Sequence, residues 1–543
     1  MIQEVKKCFP YPTIRDQQLE AINFAVQSAK QEGKKFIVIE AGTGVGKSAI
    51  GLTVARLLST GGTDNFVRGA YFLTTQKILQ EQYVKDFGGF KGSMKSIKSS
   101  SNYTCNFNKN TSCGESQRSL KTADKKSSFF KSCAFNCVYK KSKESFLASP
   151  EGVTNFPYFL AETQYSGKLE PREVLIIDEA HNLDSELSKF IEITISDKFC
   201  DSFLGMKIPV GLTQLQYIKW VEETYLSITA SKLAHLERML TKYVGLKEKI
   251  QSGEFASVSK KYEMLDKHVC KVRRFLELYS SNNWVMNDLP ADNYSNPSRK
   301  LQFKPINVAP YAEDMLYKFG KIVIMMSATI LDKNAYAEIA GIPTDQMAFI
   351  TLPSPFPAKN RPVMYAGVGR MNSSSIESTL PNLVAAIKQI MKEHKNEKGI
   401  IHCHSYKVAS FIKKNIKSSR ILIHGSDNRD AVLEKHKKSK SPTILLSPSM
   451  TEGVDLKGKL SRFQIICKVP YPYLGDKLIR KKMNKWKWWY PLQTAKTILQ
   501  AVGRSVRSKE DTAATYILDS DFERFYYSNK SLFPTTFKES LKL

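Results

Sequence analysis

The sequence predicts an α/β fold built on two parallel sheets, and three observations predict it. Short apolar runs alternate with helical stretches, a glycine-rich loop follows the first run, and a proline-rich segment divides the runs into two sets. The first set comprises Phe36 to Ile39, Ala70 to Leu73, Val174 to Ile177 and Ile322 to Met326. These runs are continuously apolar, as parallel strands are when helices cover both faces. The segment LPSPFPAKNRP, Leu352 to Pro362, reads as the connection to the second set. That set comprises Gly399 to His402, Ile421 to Ile423, Thr443 to Leu446, Phe463 to Cys467 and Thr515 to Leu518. Between the strands at Val174 and Ile322 lies an insertion from Ile191 to Pro305. Apolar residues at three- and four-residue spacing from Leu212 to Tyr279 predict helices there, and no strand is expected.

Lys and Arg exceed Asp and Glu to give a net charge of +29, while 42% of the residues are hydrophobic, which excludes a disordered basic tail. A basic folded chain is suited to a polyanion. The N-terminus, MIQEVKKCFPYP, has no apolar signal-peptide core, and no apolar run is long enough to span a bilayer. The expected location is therefore cytoplasmic (the host cytoplasm for a viral chain), with no membrane partner. In that reducing setting, clustered cysteines point to a metal or cluster and away from disulfides.

The loop AGTGVGKS, Ala41 to Ser48, follows one predicted strand and precedes a helix, which is the context a phosphate-binding loop requires. Gly42, Thr43, Gly44 and Gly46 present backbone amides to ATP phosphates, Lys47 reaches the β/γ-phosphates, and Ser48 can ligate Mg²⁺. Asp178 and Glu179 stand at the carboxy end of the VLII strand. There Asp178 would share the Mg²⁺, and Glu179 would orient and deprotonate the attacking water. In QAVGRSVR, Gln500 to Arg507, a helix would put Arg504 and Arg507 on one face, aimed at the γ-phosphate from the other domain. Such an arginine raises rates by about 10³ to 10⁵.

Cys105, Cys113, Cys133 and Cys137 have the spacing C-x7-C-x19-C-x3-C within a lysine-rich stretch. Four thiolates accept either zinc or a 4Fe-4S cluster. Only Cys133 and Cys137 form the tight pair usual in zinc ribbons, and spacing alone leaves both metals open. Cys8, Cys200, Cys270, Cys403 and Cys467 show no ligand spacing, and Cys403 and Cys467 are expected in the core.

The ordered set RDQQ (Arg15 to Gln18), AGTGVGKS, TTQKILQEQ (Thr74 to Gln82), DEAH (Asp178 to His181), SAT (Ser327 to Thr329), HSY (His404 to Tyr406), EGVD (Glu452 to Asp455) and QAVGRSVR resembles the motif series of superfamily 2 helicases. With VTNFPYFL, SPFP and VPYPYLGDKL, it resembles more narrowly the XPD/DinG family of iron-sulfur DNA helicases. The resemblance implies two RecA-like motor domains, the first assembled from residues 1–90, 151–190 and 306–350 and the second from 351–543. It also implies an iron-sulfur domain at 91–150 and a helical Arch-like insert at 191–305. Gln18 would contact adenine, Gly453 and Asp455 would link nucleotide to DNA movement, and Ser327 and Thr329 would couple hydrolysis to unwinding. Cys105, Cys113, Cys133 and Cys137 would hold a 4Fe-4S cluster, although the close spacing of the first two departs from the commoner pattern. Phe156 and Asp521 stand where the family often has His and Arg.

The implied activity is ATP-dependent, 5′-to-3′ movement on single-stranded DNA with unwinding of forked or tailed duplexes, in repair, recombination or replication. A monomer is expected, with a loading or single-strand-binding protein as partner. Two alternatives are a zinc-bearing nucleic-acid-binding ATPase switch without unwinding, and an RNA helicase or duplex translocase. For DNA contacts, the residues themselves offer Trp486, Trp488, Trp489 and Tyr490 among lysines, where packing against a core helix is the commoner use and stacking on bases the alternative. They also offer Lys91, Lys95, Lys98, Lys121, Lys125, Lys126, Lys131, Lys140 and Lys141 around the cysteines.

Overall fold

The structure, a computed structural model, describes residues 2–89, 93–107, 109, 111–120, 123–243, 253–291, 298–425, 428–448, 456, 458–503, 505–506 and 510–543. The first sheet begins with β1 (Phe36–Ala41), β2 (Val67–Thr74), β3 (Met94–Ser96), β4 (Glu151–Asn155) and β5 (Arg172–Asp178). A small antiparallel sheet follows, from β6 (Ile193–Ser196), β7 (Trp284–Leu289) and β8 (Lys300–Pro305). The chain then returns to the first sheet with β9 (Gly320–Ser327) and β10 (Met347–Leu352). Past the proline-rich connection it builds a second sheet from β11 (Val363–Gly369), β12 (Gly399–His402), β13 (Ile421–Ile423), β14 (Ile444–Ser447), β15 (Phe463–Ile466), β16 (Ala514–Asp519) and β17 (Leu541–Lys542).

Both large sheets are parallel, with orders β10-β1-β9-β5-β2-β4-β3 and β13-β14-β12-β15-β16-β11-β17. The expected α/β class with two parallel sheets is thus observed. Side chains along each central strand alternate between two cores. Phe36, Val38, Leu175 and Ile177 enter one, while Ile37, Ile39, Val174 and Ile176 enter the other, and all are buried. Among the described residues, no helix is long and apolar enough to cross a membrane.

Register places the chemistry. β1 lies between β10 and β9, and β9 is next to β5. Glu40 is opposite both Ser327 and Thr351, while Asp178 is opposite Met326. The phosphate loop, the SAT segment and the DEAH segment therefore leave adjacent strands at one level, at the carboxy edge where α/β sheets bind ligands.

The insertion departs from the all-helical expectation. Its helices are present, at Gln214–Trp220, Leu226–Tyr243 and Glu254–Leu278, but they pack with the β6-β8-β7 sheet. In β8, KLQFKP, Leu301, Phe303 and Pro305 are buried and alternate with partly exposed Lys300, Gln302 and Lys304. That is the period-2 pattern of a half-buried antiparallel strand, which a search for continuous apolar runs passes over. Phe275 packs edge-on against Trp284 at 5.0 Å and lies 5.1 Å from Phe303, so helix and sheet share one core. Replacing Phe303 with Ala is expected to cost about 3 to 5 kcal/mol, read as a lowered urea midpoint for loss of the insertion's Trp284 fluorescence.

Candidate active site

The phosphate loop is shaped by backbone that only glycine takes easily. Gly44 and Gly46 have φ of 85° and 92°. A Cβ on Gly46 would also come within 2.5 Å of Gln18 Nε2. Gln18 is buried and donates from Nε2 to the Val45 carbonyl at 2.9 Å, while Arg15 Nη1 donates to the Gly44 carbonyl at 2.8 Å. The RDQQ segment thus braces the loop directly. Gly46 caps the helix Lys47–Leu58, leaving its first amides facing the loop. Lys47 Nζ donates to the Ala41 carbonyl at 3.2 Å, inside the turn. Gly42 lies against Ser354 of the connection, and Thr43 Oγ1 faces Gly503, just past the helix Trp489–Val502 of the second sheet domain.

The two acids differ sharply in surroundings. Asp178 is buried, accepting from the Tyr83 hydroxyl at 3.0 Å and from the Glu179 amide at 3.0 Å. Burial, then the neighbouring Glu179 charge, push its carboxyl up to about 6, against the pull of Lys47. Tyr83 is fully buried, which together with Asp178 holds its hydroxyl protonated, and it also bonds Ser48. Tyr83 therefore ties the two residues assigned to Mg²⁺. Sequence reading missed it, although it stands one residue beyond the TTQKILQEQ segment.

Glu179 is more open and has a left-handed φ of 51°. From it, contacts run across the cleft. His181 Nδ1 is 3.4 Å from Glu179 Oε2 and 2.8 Å from Ser327 Oγ. Ser327 Oγ accepts from the Thr329 amide at 3.0 Å, and Gln500 Nε2 reaches Thr329 Oγ1 at 3.5 Å. Lys496, also on the second domain, donates to the His181 carbonyl at 2.7 Å. The structure therefore brings together Gln18, Gly42, Thr43, Gly44, Gly46, Lys47, Ser48, Asp178, Glu179, Ser327, Thr329 and Gln500. Arg504, Arg507, Gly453 and Asp455 lie outside the described residues.

A second residue missed by the sequence reading is Glu40, buried in β1 just before the loop. Its Oε1 accepts from the amides of Ile330 and Leu331 at 2.7 and 2.8 Å, and its Oε2 accepts from Thr351 Oγ1 at 3.1 Å. Leu331 there has φ 69°. An acid ending the otherwise apolar FIVIEA strand was the available signal.

The four cysteines converge although their strands and helices do not. Cys105 and Cys113 flank a bridge between Thr104 and Ser112. Cys133 lies in the helix Ser128–Phe135, and Cys137 caps the helix Val138–Ala148. All four are buried and free of disulfides, and they line one cleft with Phe107, Ser116, Ser132 and Asn136. Burial pushes the Cys133 thiol up to about 11, with Cys137, Cys105 and Cys113 adding to it. Four sulfurs in one cleft fit tetrathiolate ligation as a donor set. Among the described residues, no group of three or more His, Cys, Asp or Glu closes into a site for a single metal ion. Of the nearby lysines, Lys95, Lys125, Lys126, Lys131 and Lys141 are exposed and Lys140 is half-buried. Lys98 pairs with Glu81, and Lys91 and Lys121 lie outside the described residues.

The tryptophan segment is largely core, as the packing reading expects and the stacking alternative does not. Trp486 and Trp489 are 4% and 5% exposed, and Trp486 Nε1 bonds Glu338 of the first domain. Trp488 and Tyr490 are half-buried, the latter stacked on Tyr471. Amphipathic spacing drew the indoles inward, where they help join the domains. Phe156 is buried in the first core, Asp521 lies 3.5 Å from Arg370, and Cys403 and Cys467 are buried in the second core.

Two parallel sheets, the first carrying a phosphate loop and paired acids at the edge that meets the second, define the two-domain motor fold of nucleoside-triphosphate-driven enzymes. The sequence matches two family models: the helicase C-terminal domain over residues 387–540, and the type III restriction enzyme res subunit over residues 12–212. A probable ATP-dependent helicase of Methanocaldococcus jannaschii is 23% identical, covering 95% of this chain and 93% of that protein. The ATP-dependent DNA helicase XPD of Sulfolobus acidocaldarius is 21% identical over 72% of this chain and 73% of its own. A solved XPD helicase structure superposes with a TM-score of 0.66 at 16% identity, covering 98% of this chain and all of that one. The chain is thus similar, over nearly its whole length, to helicases of the XPD/DinG type.

The Glu40 contacts make a direct prediction. Glu40→Ala strands two buried amides at about 1 to 3 kcal/mol each, so the thermal midpoint should fall. Glu40→Gln keeps an acceptor for both amides and should stay near wild type by the same measurement.

Proposed function

We propose that this protein is an ATP-dependent DNA helicase that moves 5′ to 3′ on single-stranded DNA and separates forked or tailed duplexes. The observation that carries the reading is the unbroken series Glu179, His181, Ser327, Thr329 and Gln500, which joins the hydrolytic acid to the second sheet domain. The relatives named as DNA helicases and the net charge of +29 support a nucleic-acid track.

In this reading Lys47 leaves the Ala41 carbonyl to meet the β/γ-phosphates, and Gly42 to Gly46 supply amides. Gln18, fixed to Val45, borders the adenine side. Ser48 and Asp178 would hold Mg²⁺, whose charge neutralises phosphate oxygens when bound. Glu179 accepts the proton of the attacking water, and His181 fixes its carboxylate. Gln500, Arg504 and Arg507 approach from the second domain, so hydrolysis needs a closed cleft and product release permits opening. Gly453 and Asp455 would relay that cycle to DNA.

Cys105, Cys113, Cys133 and Cys137 would hold a 4Fe-4S cluster, which would crosslink three separate segments of the 91–150 region and so keep it rigid beside the motor. The expected site in the cell is the cytoplasm, and the expected working form is a monomer.

Lys47→Ala and Glu179→Gln should each reduce single-strand-stimulated ATPase by at least about 10³-fold; turnover near wild type in either variant would overturn the site assignment. Protein purified without oxygen should be brown, with broad visible absorbance lost in Cys105→Ser. Colourless protein carrying stoichiometric zinc would instead support the zinc-bearing switch.

A further inference from the structure

The helix Lys477–Lys485 of the second sheet domain has two faces with different partners. Lys477, Arg480, Lys481 and Asn484, spaced as i, i+3, i+4 and i+7, line a cleft of about 510 Å³ whose opposite wall is Leu212, Thr213, Gln214, Val285 and Met286 of the insertion. None of these three cations pairs with an acid among the described residues. Lys482 points the other way. It is 4% exposed, and its Nζ lies 2.5 Å from Asp184 Oδ2 and over the Trp489 ring at 5.6 Å. Asp184 stands three residues past His181, in the helix Leu183–Ile191 that continues the DEAH segment. The helix is also tied at its start, where Asp476 caps Leu478 and accepts from Asn287 of the insertion's β7 at 2.9 Å.

One short helix therefore touches a cationic cleft with one face and the segment carrying the hydrolytic acid with the other. Lys496, on the next helix, holds the His181 carbonyl in parallel. We propose that Lys482 is a positioning residue: through its pair with half-buried Asp184, a phosphodiester strand seated on Lys477, Arg480 and Lys481 sets the placement of the DEAH segment, and so the ATPase rate. This inference rests on the nucleic-acid motor reading given above. The cleft fits a polyanion by charge and by its three exposed donors on one helix face. The Lys482–Asp184 pair suits transmission because its lysine is buried, with the aspartate half-buried beside it. A buried cation left without its partner is strongly disfavoured, so the two groups move together.

The test compares Lys482→Met, Asp184→Asn, the double variant and wild type. Three quantities are read on each: thermal midpoint, affinity for a fluorescent oligothymidine without nucleotide, and the ratio of oligothymidine-stimulated to unstimulated ATPase. The single variants should lower the midpoint, and the double variant should recover most of it because no buried charge is left unpaired. The stimulation ratio should fall by about 5-fold or more in the singles, as expected for a lost coupling of ordinary size. It should stay low in the double, with oligothymidine affinity within about 2-fold of wild type. Lys482→Arg should restore the ratio. Recovery of stimulation in the double together with stability would overturn the proposal, making the pair merely structural. An unchanged ratio in every variant, with wild type stimulated, would also overturn it. A wild type that oligothymidine neither binds nor stimulates would remove the motor reading itself, and this inference with it. For the cleft, Arg480→Ala with Lys481→Ala should weaken oligothymidine affinity by about 10-fold or more at low salt; unchanged affinity would place the strand elsewhere and refute the coupling route.

Discussion

The buried Glu40 carboxylate is the constraint on which the arrangement of the nucleotide edge depends. Parallel strands fix only how far each segment has advanced when it leaves the sheet. They do not fix the loops that follow. Glu40 sits on the strand that becomes the phosphate loop and accepts hydrogen bonds from the turn after SAT and from the last strand before the connection. Three crossings of the sheet are thereby held at one edge by one side chain, at a burial cost that its three donors offset only in part, so that burial holds the carboxyl above its usual range. The Thr329 hydroxyl that meets Gln500 lies next to that turn.

Strain concentrates at the same edges. The only non-glycine residues with left-handed φ among those described are Glu179, Leu331 and His404, each just past the carboxy end of a central strand. Such backbone persists only where surroundings impose it, and it collects where a side chain must be aimed. At Glu179 it turns the acid out toward the cleft while its neighbour Asp178 stays buried. At His404, burial with Lys468 nearby holds the imidazole down to about 4, keeping it neutral under ordinary conditions. The two sheet domains thus present facing, conformationally fixed edges, joined by the hydrogen bonds of Lys496 and Gln500.

Much of this was legible in the sequence, for identifiable reasons. The central strands were visible because burial on both faces demands continuous apolar runs, and the loop and acids were visible because their chemistry allows few substitutes. β4 was not, because EGVTN is polar: Glu151 pairs with Arg56, and Asn155 bonds Gln80. β8 was hidden by its alternation, and β10 and β11 lie toward sheet edges, where exposure dilutes the pattern. Convergence of the cysteines from a loop and two helices could be expected from their order and location but not from spacing. The tryptophan cluster packs, as the commoner use of such residues beside a core helix suggests; aromatic residues among lysines can also stack on bases, and burial distinguishes the two. Tyr83 and Glu40 carry no motif of their own. Their roles come from what the sheet register places beside them.

Under the proposed function, ATP hydrolysis at the first sheet, completed by residues of the second, drives movement along single-stranded DNA. The most direct measurement is strand release from labelled duplexes bearing a 5′ or a 3′ single-stranded tail, with ATP and Mg²⁺. ATP-dependent release is expected from the 5′-tailed duplex and little from the 3′-tailed one. No release from either duplex, with an ATPase rate indifferent to DNA, would contradict it.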